Sequence, residues 1–278
     1  MTIMLPKIIL LKKILARRID FMKKIVLIVF SFMFVFGVSF AQTPEEIIQS
    51  VRGQTTINNI GAEAEITIQR AGKTMEVIKM IQYTSKDASG LQRTMIILKA
   101  PAKYKNTRFL MRELKNGVTD QRVFFPALGK TTRIVAESSG NEAFLGTDFS
   151  YNDMAFMERD PSLDSYRMLP EETYKGKKCY VIEALPKNKA FFYAKTIIKV
   201  EKSKKLLMTA EFFDKSGKKV KQIELLNYKE IDGVNTPYDV KMTTFATNTA
   251  SIISMKKIKF GLEIPEKIFT TKYLETGK

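Results

Sequence analysis

The sequence predicts a mainly β protein built as an antiparallel meander, and three observations carry that reading. Beyond residue 60 the apolar residues recur with a period of two. In Ala62-Glu63-Ala64-Glu65-Ile66-Thr67-Ile68-Gln69 the alternation puts Ala62, Ala64, Ile66 and Ile68 on one face. Turn residues then punctuate the chain roughly every 10–12 positions, a spacing that suits hairpins. No strand–helix–strand alternation and no glycine-rich phosphate loop interrupts the series. A sandwich, a barrel and a strongly curved sheet all satisfy this pattern.

The first element is not part of that fold. Met22-Lys23-Lys24 precedes an uncharged apolar run, Ile25 to Phe36, and Ser39 and Ala41 are the small residues before Gln42. This reads as a signal peptide cut after Ala41, with Met22 as the natural start and residues 1–21 as an upstream extension. The apolar run is shorter than the roughly 20 residues of a spanning helix. No cysteine follows it, which excludes a lipoprotein signal. Residues 42–278 are therefore expected to form one exported, periplasmic domain.

Thr43-Pro44-Glu45-Glu46 opens the domain as a capping box, with Thr at the N-cap, Pro at the first helical position and Glu at the third. Ile47, Ile48 and Val51 give this helix an apolar stripe that fades near Gly53. Strands are expected at 62–69, 74–83, 91–99, 107–114, 118–125 and 131–136. Asn116-Gly117 is a two-residue hairpin turn, and Leu91–Lys99 is apolar on both faces. The segment 141–166 breaks the pattern. In it Ser150, followed three residues later by Asp153, caps a short helix from Tyr151 to about Glu158, and Asp160-Pro161 stops it. Strands resume at 166–172, 178–184, 194–201, 206–213, 218–230, 238–245 and 251–260. The tail, Ile264–Phe269 with Pro265, reads as a loop or half-turn.

Composition narrows the chemistry. The chain has no His, one Cys and no Trp, so His-based triads, HExxH zinc sites, intrachain disulfides and zinc ribbons are excluded. Cys179 reads as a small buried residue on a strand. The formal charge of +17 falls to +11 once residues 1–41, with seven Lys/Arg and one acid, are set aside. The remaining lysines are spread over strand edges and turns and accompany no nucleic-acid motif, so they read as a solvated coat that protects edges. The acids Asp148, Asp153, Asp160 and Asp164 lack the order of a calcium loop and read as caps and turns. No cofactor motif is present. Phe124-Phe125, Phe191-Phe192 and Phe212-Phe213 place an aromatic on each face of their strands, and many methionines add adaptable apolar surface. A half-closed sheet so furnished can enclose an apolar ligand.

Three stretches carry a resemblance: Phe144-Leu145-Gly146-Thr147-Asp148-Phe149-Ser150-Tyr151-Asn152-Asp153-Met154, then Tyr174-Lys175-Gly176-Lys177-Lys178-Cys179-Tyr180-Val181-Ile182-Glu183-Ala184, then Asp232-Gly233-Val234-Asn235-Thr236-Pro237. With the signal peptide and capped helix before them, they resemble the outer membrane lipoprotein-sorting family, the LolA/LolB-like proteins. The branch is the one typified by a treponemal lipoprotein domain. The resemblance implies an unclosed antiparallel β-barrel, or half-barrel, of about eleven strands with a helical lid. It implies a non-enzymatic carrier of lipid or acylated lipoprotein that moves its cargo toward the outer membrane. The implied partners are that cargo, an inner-membrane exporter and a transient membrane contact, for a monomer that binds no nucleic acid.

On this reading the inner face holds Ile66, Ile68, Met95, Ile97, Phe109, Met111, Phe124 and Phe212 as candidate lipid contacts. Gly146, Asp148, Phe149, Tyr151 and Asp153 form the motif element, and the helices at Ile47–Val51 and Tyr151–Glu158 are lid candidates. Two other readings stay open. One is a lipid hydrolase on the same scaffold, assisted by calcium at Asp148 or Asp153. The other is a sensor or adaptor that meets a transporter through basic residues such as Lys218, Lys219 and Lys221.

Overall fold

A computed structural model describes residues 42–53, 59–116, 118–135, 140–156 and 160–278. The expected signal peptide and upstream extension, Gly117 of the Asn116-Gly117 turn and the far end of the central helix lie outside them. Among the described residues thirteen strands form one antiparallel sheet. They are β1 (Ile60–Arg70), β2 (Lys73–Lys86), β3 (Gln92–Ala100), β4 (Arg108–Glu113), β5 (Thr119–Phe125), β6 (Lys130–Ile134), β7 (Asp164–Tyr174), β8 (Lys177–Pro186), β9 (Lys195–Glu201), β10 (Leu207–Phe213), β11 (Lys219–Ile231), β12 (Val234–Thr244) and β13 (Thr249–Lys259). Each expected strand is present, so the count of about eleven was low. The largest boundary change is β12, which starts at Val234 and runs through Pro237. The Asp232-Gly233 turn, both residues at positive φ, sets Val234 opposite Ile231 at once.

The sheet order is β6-β5-β4-β3-β2-β1-β13-β12-β11-β10-β9-β8-β7. The first and last strands pair in the middle, with Ile66 opposite Ile253. The two edges, β6 and β7, are consecutive in the chain and do not pair, so the sheet is unclosed. The segment that joins them must cross from one edge to the other, and it carries the motif element.

The ladder register sorts the side chains. One face carries Ile66, Ile78, Met80, Leu98, Ile96, Phe109 and Val123 across β1–β5, and Ile182, Ile198, Ala210, Ile223, Met242 and Ile253 across β8–β13. We call this the inner face. Its cover comes from helix α1 (Pro44–Gly53), through Ile47 and Ile48, and from the crossing segment. Helix α1 starts as the sequence expects. Glu46 N–H donates to Thr43 Oγ1 at 3.2 Å, and Thr43 N–H donates to Glu46 Oε2 at 3.0 Å.

On the other face Met95, Ile97 and Leu110 of β3 and β4 are buried under the C-terminal tail. That tail is a 3-10 turn, Glu266–Phe269, and a short helix that the sequence reading missed. The C-terminal helix spans Thr271–Thr276 and buries Phe269 and Leu274 against these strands. Its signals were local and brief: Thr270 Oγ1 accepts from Tyr273 N–H at 3.1 Å, and Gly277 closes the helix at positive φ. Arg108 lies beneath it and donates from Nη2 to the Glu275 carbonyl at 2.7 Å. This strap explains why β3 is apolar on both faces.

Candidate functional site

The crossing segment starts beyond β6 and folds onto the inner face. An isolated bridge between Ala143 and Ser150 makes it a small loop of its own. Within that loop Leu145 and Gly146 are consecutive residues at positive φ. For Gly146 this conformation is free, whereas Leu145 holds it against a steric penalty of about 1 kcal/mol. The tight reversal brings Phe144 and Phe149 down onto the same face, where both are fully buried. The second helix, Tyr151–Phe156 (α2), follows and adds Tyr151 and Met154 to the same core. Phe109 of β4 meets Phe144 at 5.1 Å and Tyr151 at 5.5 Å between ring centroids, and Phe144 meets Tyr151 edge-on at 5.7 Å.

Two polar clasps fix this apolar plug. The first is Asp148. Its Oδ2 accepts from Ser251 Oγ at 2.7 Å, its Oδ1 accepts from Thr249 Oγ1, and its own N–H donates to Ser251 Oγ at 2.9 Å. Both partners belong to β13 at the centre of the sheet. The second is Asp153, whose side chain is 1% exposed. It accepts from Ser150 N–H at 2.7 Å, while Ser150 Oγ accepts from Asp153 N–H at 3.1 Å, so the expected capping box is formed. Asp153 also takes Lys221 Nζ of β11 at 2.6 Å and the Tyr193 hydroxyl. Burial, with the Asp153 charge beside it, pushes the Tyr193 hydroxyl well above the usual tyrosine range. A charge this deep is tolerable only when paired and fully hydrogen-bonded.

Asp148 and Asp153 hold the plug on the sheet, with their carboxylate oxygens engaged by Ser251 and Thr249 and by Tyr193 and Lys221. Among the described residues no three Cys, Asp or Glu side chains converge as metal ligands. Gly146 and Thr147 shape the loop, with Thr147 Oγ1 donating to the Phe144 carbonyl at 2.7 Å.

The candidate lipid contacts divide between the faces. Ile66, Phe109, Met111 and Phe212 lie in the inner core, with Ile68 packed against it. Met95, Ile97 and Phe124 do not: they lie on the outer face under the C-terminal strap. Since β3 is apolar on both faces, its parity was not readable, and the ladder makes Ile96 and Leu98 the inward pair. In the Phe124-Phe125 pair it is Phe125 that packs against the inner core. Lys221, expected on a basic docking surface, instead points inward to Asp153, and Lys219 pairs with Glu211 at 3.1 Å, which leaves Lys218 exposed. Cys179 is buried as expected, and burial raises its thiol pKa.

Sequence reasoning also missed Tyr193, Thr249 and Ser251. Tyr193 stacks on Phe212 at 4.6 Å and closes the second clasp. The partners lie between 40 and 103 residues from the aspartates they hold, and nothing local marks such a distance.

Comparison with known proteins places this geometry. A family model described as "-like: Uncharacterized protein" matches residues 90–276. The chain belongs to that family. No curated protein matches. Among solved structures, the fold is similar to that of a domain described as an outer membrane lipoprotein-sorting protein domain from Vibrio parahaemolyticus. It shares 21% identity at a TM-score of 0.76, over 83% of this chain and 97% of that one. A DUF1329 family protein from Desulfovibrio piger matches at 22% identity and a TM-score of 0.77, over 83% and 97% of the two chains. A LolA superfamily protein from Nitrosomonas europaea matches at 19% identity and a TM-score of 0.67, over 84% and 100%. The family member described here therefore has the LolA-superfamily fold, as its motif element implied.

Proposed function

We propose that this protein is a periplasmic carrier that takes up the acyl chains of a lipid or lipoprotein between its inner face and a displaced plug. The observation that carries the reading is the way the inner face is covered. Its apolar floor meets a loop and two short helices that add no strand to the sheet, and two polar clasps hold the loop there. Such a cover can leave without unpairing a strand.

Magnitudes support the exchange. Burying Phe144, Phe149, Tyr151 and Met154 gains roughly 6–12 kcal/mol at about 1.5–3 kcal/mol for each large side chain. An acyl chain of about sixteen carbons gains on the order of 13 kcal/mol when buried. One chain is therefore a fair competitor for the plug, and two chains outweigh it. The empty carrier keeps its apolar face dry, and the loaded one exposes the plug for an acceptor. The carrier reading needs no catalytic residue.

The test is extraction of the protein purified from a membrane-containing host, followed by mass spectrometry of the organic phase. Co-purified acyl lipid, displaceable by a fluorescent fatty acid, is the expected result. A lipid-free protein that binds no fatty acid overturns the proposal.

A further inference from the structure

The arginines of this chain are not distributed like its lysines. Of eleven arginines none follows Arg167, and five (Arg93, Arg108, Arg112, Arg122 and Arg133) belong to β3–β6. Two of the five secure the C-terminal strap. Arg93 forms a forked pair with Glu266, with nitrogen–oxygen distances of 2.6 and 3.0 Å, and Arg108 donates to the carbonyls of the last helix. The other three converge on a single acid. Asp120, 6% exposed, receives Arg112 Nη2 at 2.6 Å, Arg122 Nε at 3.1 Å and Arg133 Nε at 3.2 Å.

The group is over-supplied with positive charge. Three guanidiniums face one carboxylate. Burial alone would raise the Asp120 pKa, yet Arg112 and Arg122 hold it below the usual range. The ladder also sets Arg122 directly opposite Arg133, and Arg93 directly opposite Arg112. Like charges in direct cross-strand register destabilise a sheet. Protection of the β6 edge would account for exposed charge, but lysine serves that purpose and the chain uses it elsewhere. Arg122 and Arg133 reach Asp120 through Nε, which leaves their Nη nitrogens for another acceptor. Fixed guanidinium forks with spare donors are suited to phosphate.

We propose that Arg112, Arg122 and Arg133 form a phosphate-recognition site through which the outer face docks on a phosphate-bearing lipid surface. The patch lies on the opposite side of the sheet from the plug, so docking there leaves the plug free to move. This role rests on the carrier reading, for which a membrane is the source or destination of the cargo. Asp120 is the positioning residue: it gathers the three guanidiniums without neutralising them.

The experiment is vesicle flotation of the purified protein, using phosphatidylcholine with and without phosphatidylglycerol. Binding to the anionic vesicles is expected. Arg122→Gln with Arg133→Gln should weaken it about 30-fold, since each basic residue at a membrane surface contributes about 1 kcal/mol. Lys73→Gln with Lys218→Gln removes the same charge from exposed positions outside the patch and should change binding less than about twofold. Arg122→Lys with Arg133→Lys preserves charge and the burial of Asp120, and should restore only part of the binding. An equal loss in the lysine control, full binding by the Arg→Lys pair, or indifference to phosphatidylglycerol overturns the site. Saturation of the patch by inorganic phosphate without vesicle binding overturns the docking role. The co-purified lipid reports on the carrier reading separately, so the two can fail independently.

Discussion

Ser251→Ala is the cleanest way to loosen the plug without touching its apolar surface. Ser251 is fully buried and contributes one oxygen to the first clasp. That oxygen donates to Asp148 Oδ2 at 2.7 Å and accepts from Asp148 N–H at 2.9 Å. The substitution deletes one hydrogen bond to a charged group and one to a backbone donor, and leaves Asp148 with Thr249 alone from β13. The closed plug should lose about 2–4 kcal/mol. If cargo requires the plug to leave, the same energy no longer opposes binding. Each 1.4 kcal/mol is tenfold, so affinity for a fluorescent fatty acid should rise by a factor of about 30 to several hundred. The assay pairs urea denaturation with probe titration on the same preparation. Lower stability with unchanged or weaker probe binding would refute the reasoning, because the segment would then be permanent core.

Lys221→Met should be more damaging to stability, since it strands Asp153 in an apolar site. A loss of about 3 kcal/mol is expected by urea denaturation, and Asp153→Asn in the same background should restore part of it. Thr43→Ala removes the cap of α1 and should reduce stability by about 1 kcal/mol, with faster amide exchange confined to that helix. Stability should also fall at alkaline pH. Burial raises the Tyr151 hydroxyl from 10.0 to about 12, with the Glu142 charge adding to it. The protonated form is thus favoured in the folded state. Its contribution is complete below about pH 10 and disappears as the pH climbs through 12. Tyr151→Phe should flatten that part of the profile measured by urea melts. Arg108→Met should release the C-terminal strap, at about 1.5–3 kcal/mol for a lost hydrogen bond to a charged donor, and limited proteolysis at the C-terminus reports it.

The fold was readable because its determinants are local. Alternation in Ala62–Gln69 marks a strand without knowledge of its partner. Capping boxes at Thr43 and Ser150 declare themselves within four residues. The inner face was readable only where one side of a strand was polar, as at Ile66 and Phe109. On β3, five consecutive buried residues, Thr94 to Leu98, hide the parity, and only the ladder and the strap resolve it. The aspartates of the motif were visible, but their purpose was not. Asp148 and Asp153 read as caps or calcium ligands until Ser251 and Lys221 stand beside them. Those partners are placed by an edge-to-edge crossing of a thirteen-stranded sheet, a global property that no window of sequence contains.

The central claim is that the plug and the cargo compete for one apolar face. Hydrogen–deuterium exchange of the protein with and without bound oleate tests it directly. The account predicts faster exchange across residues 140–156 and 44–53 on loading, while the amides of β3 and β4 stay protected. Unchanged or slower exchange across 140–156 in the loaded protein would contradict it.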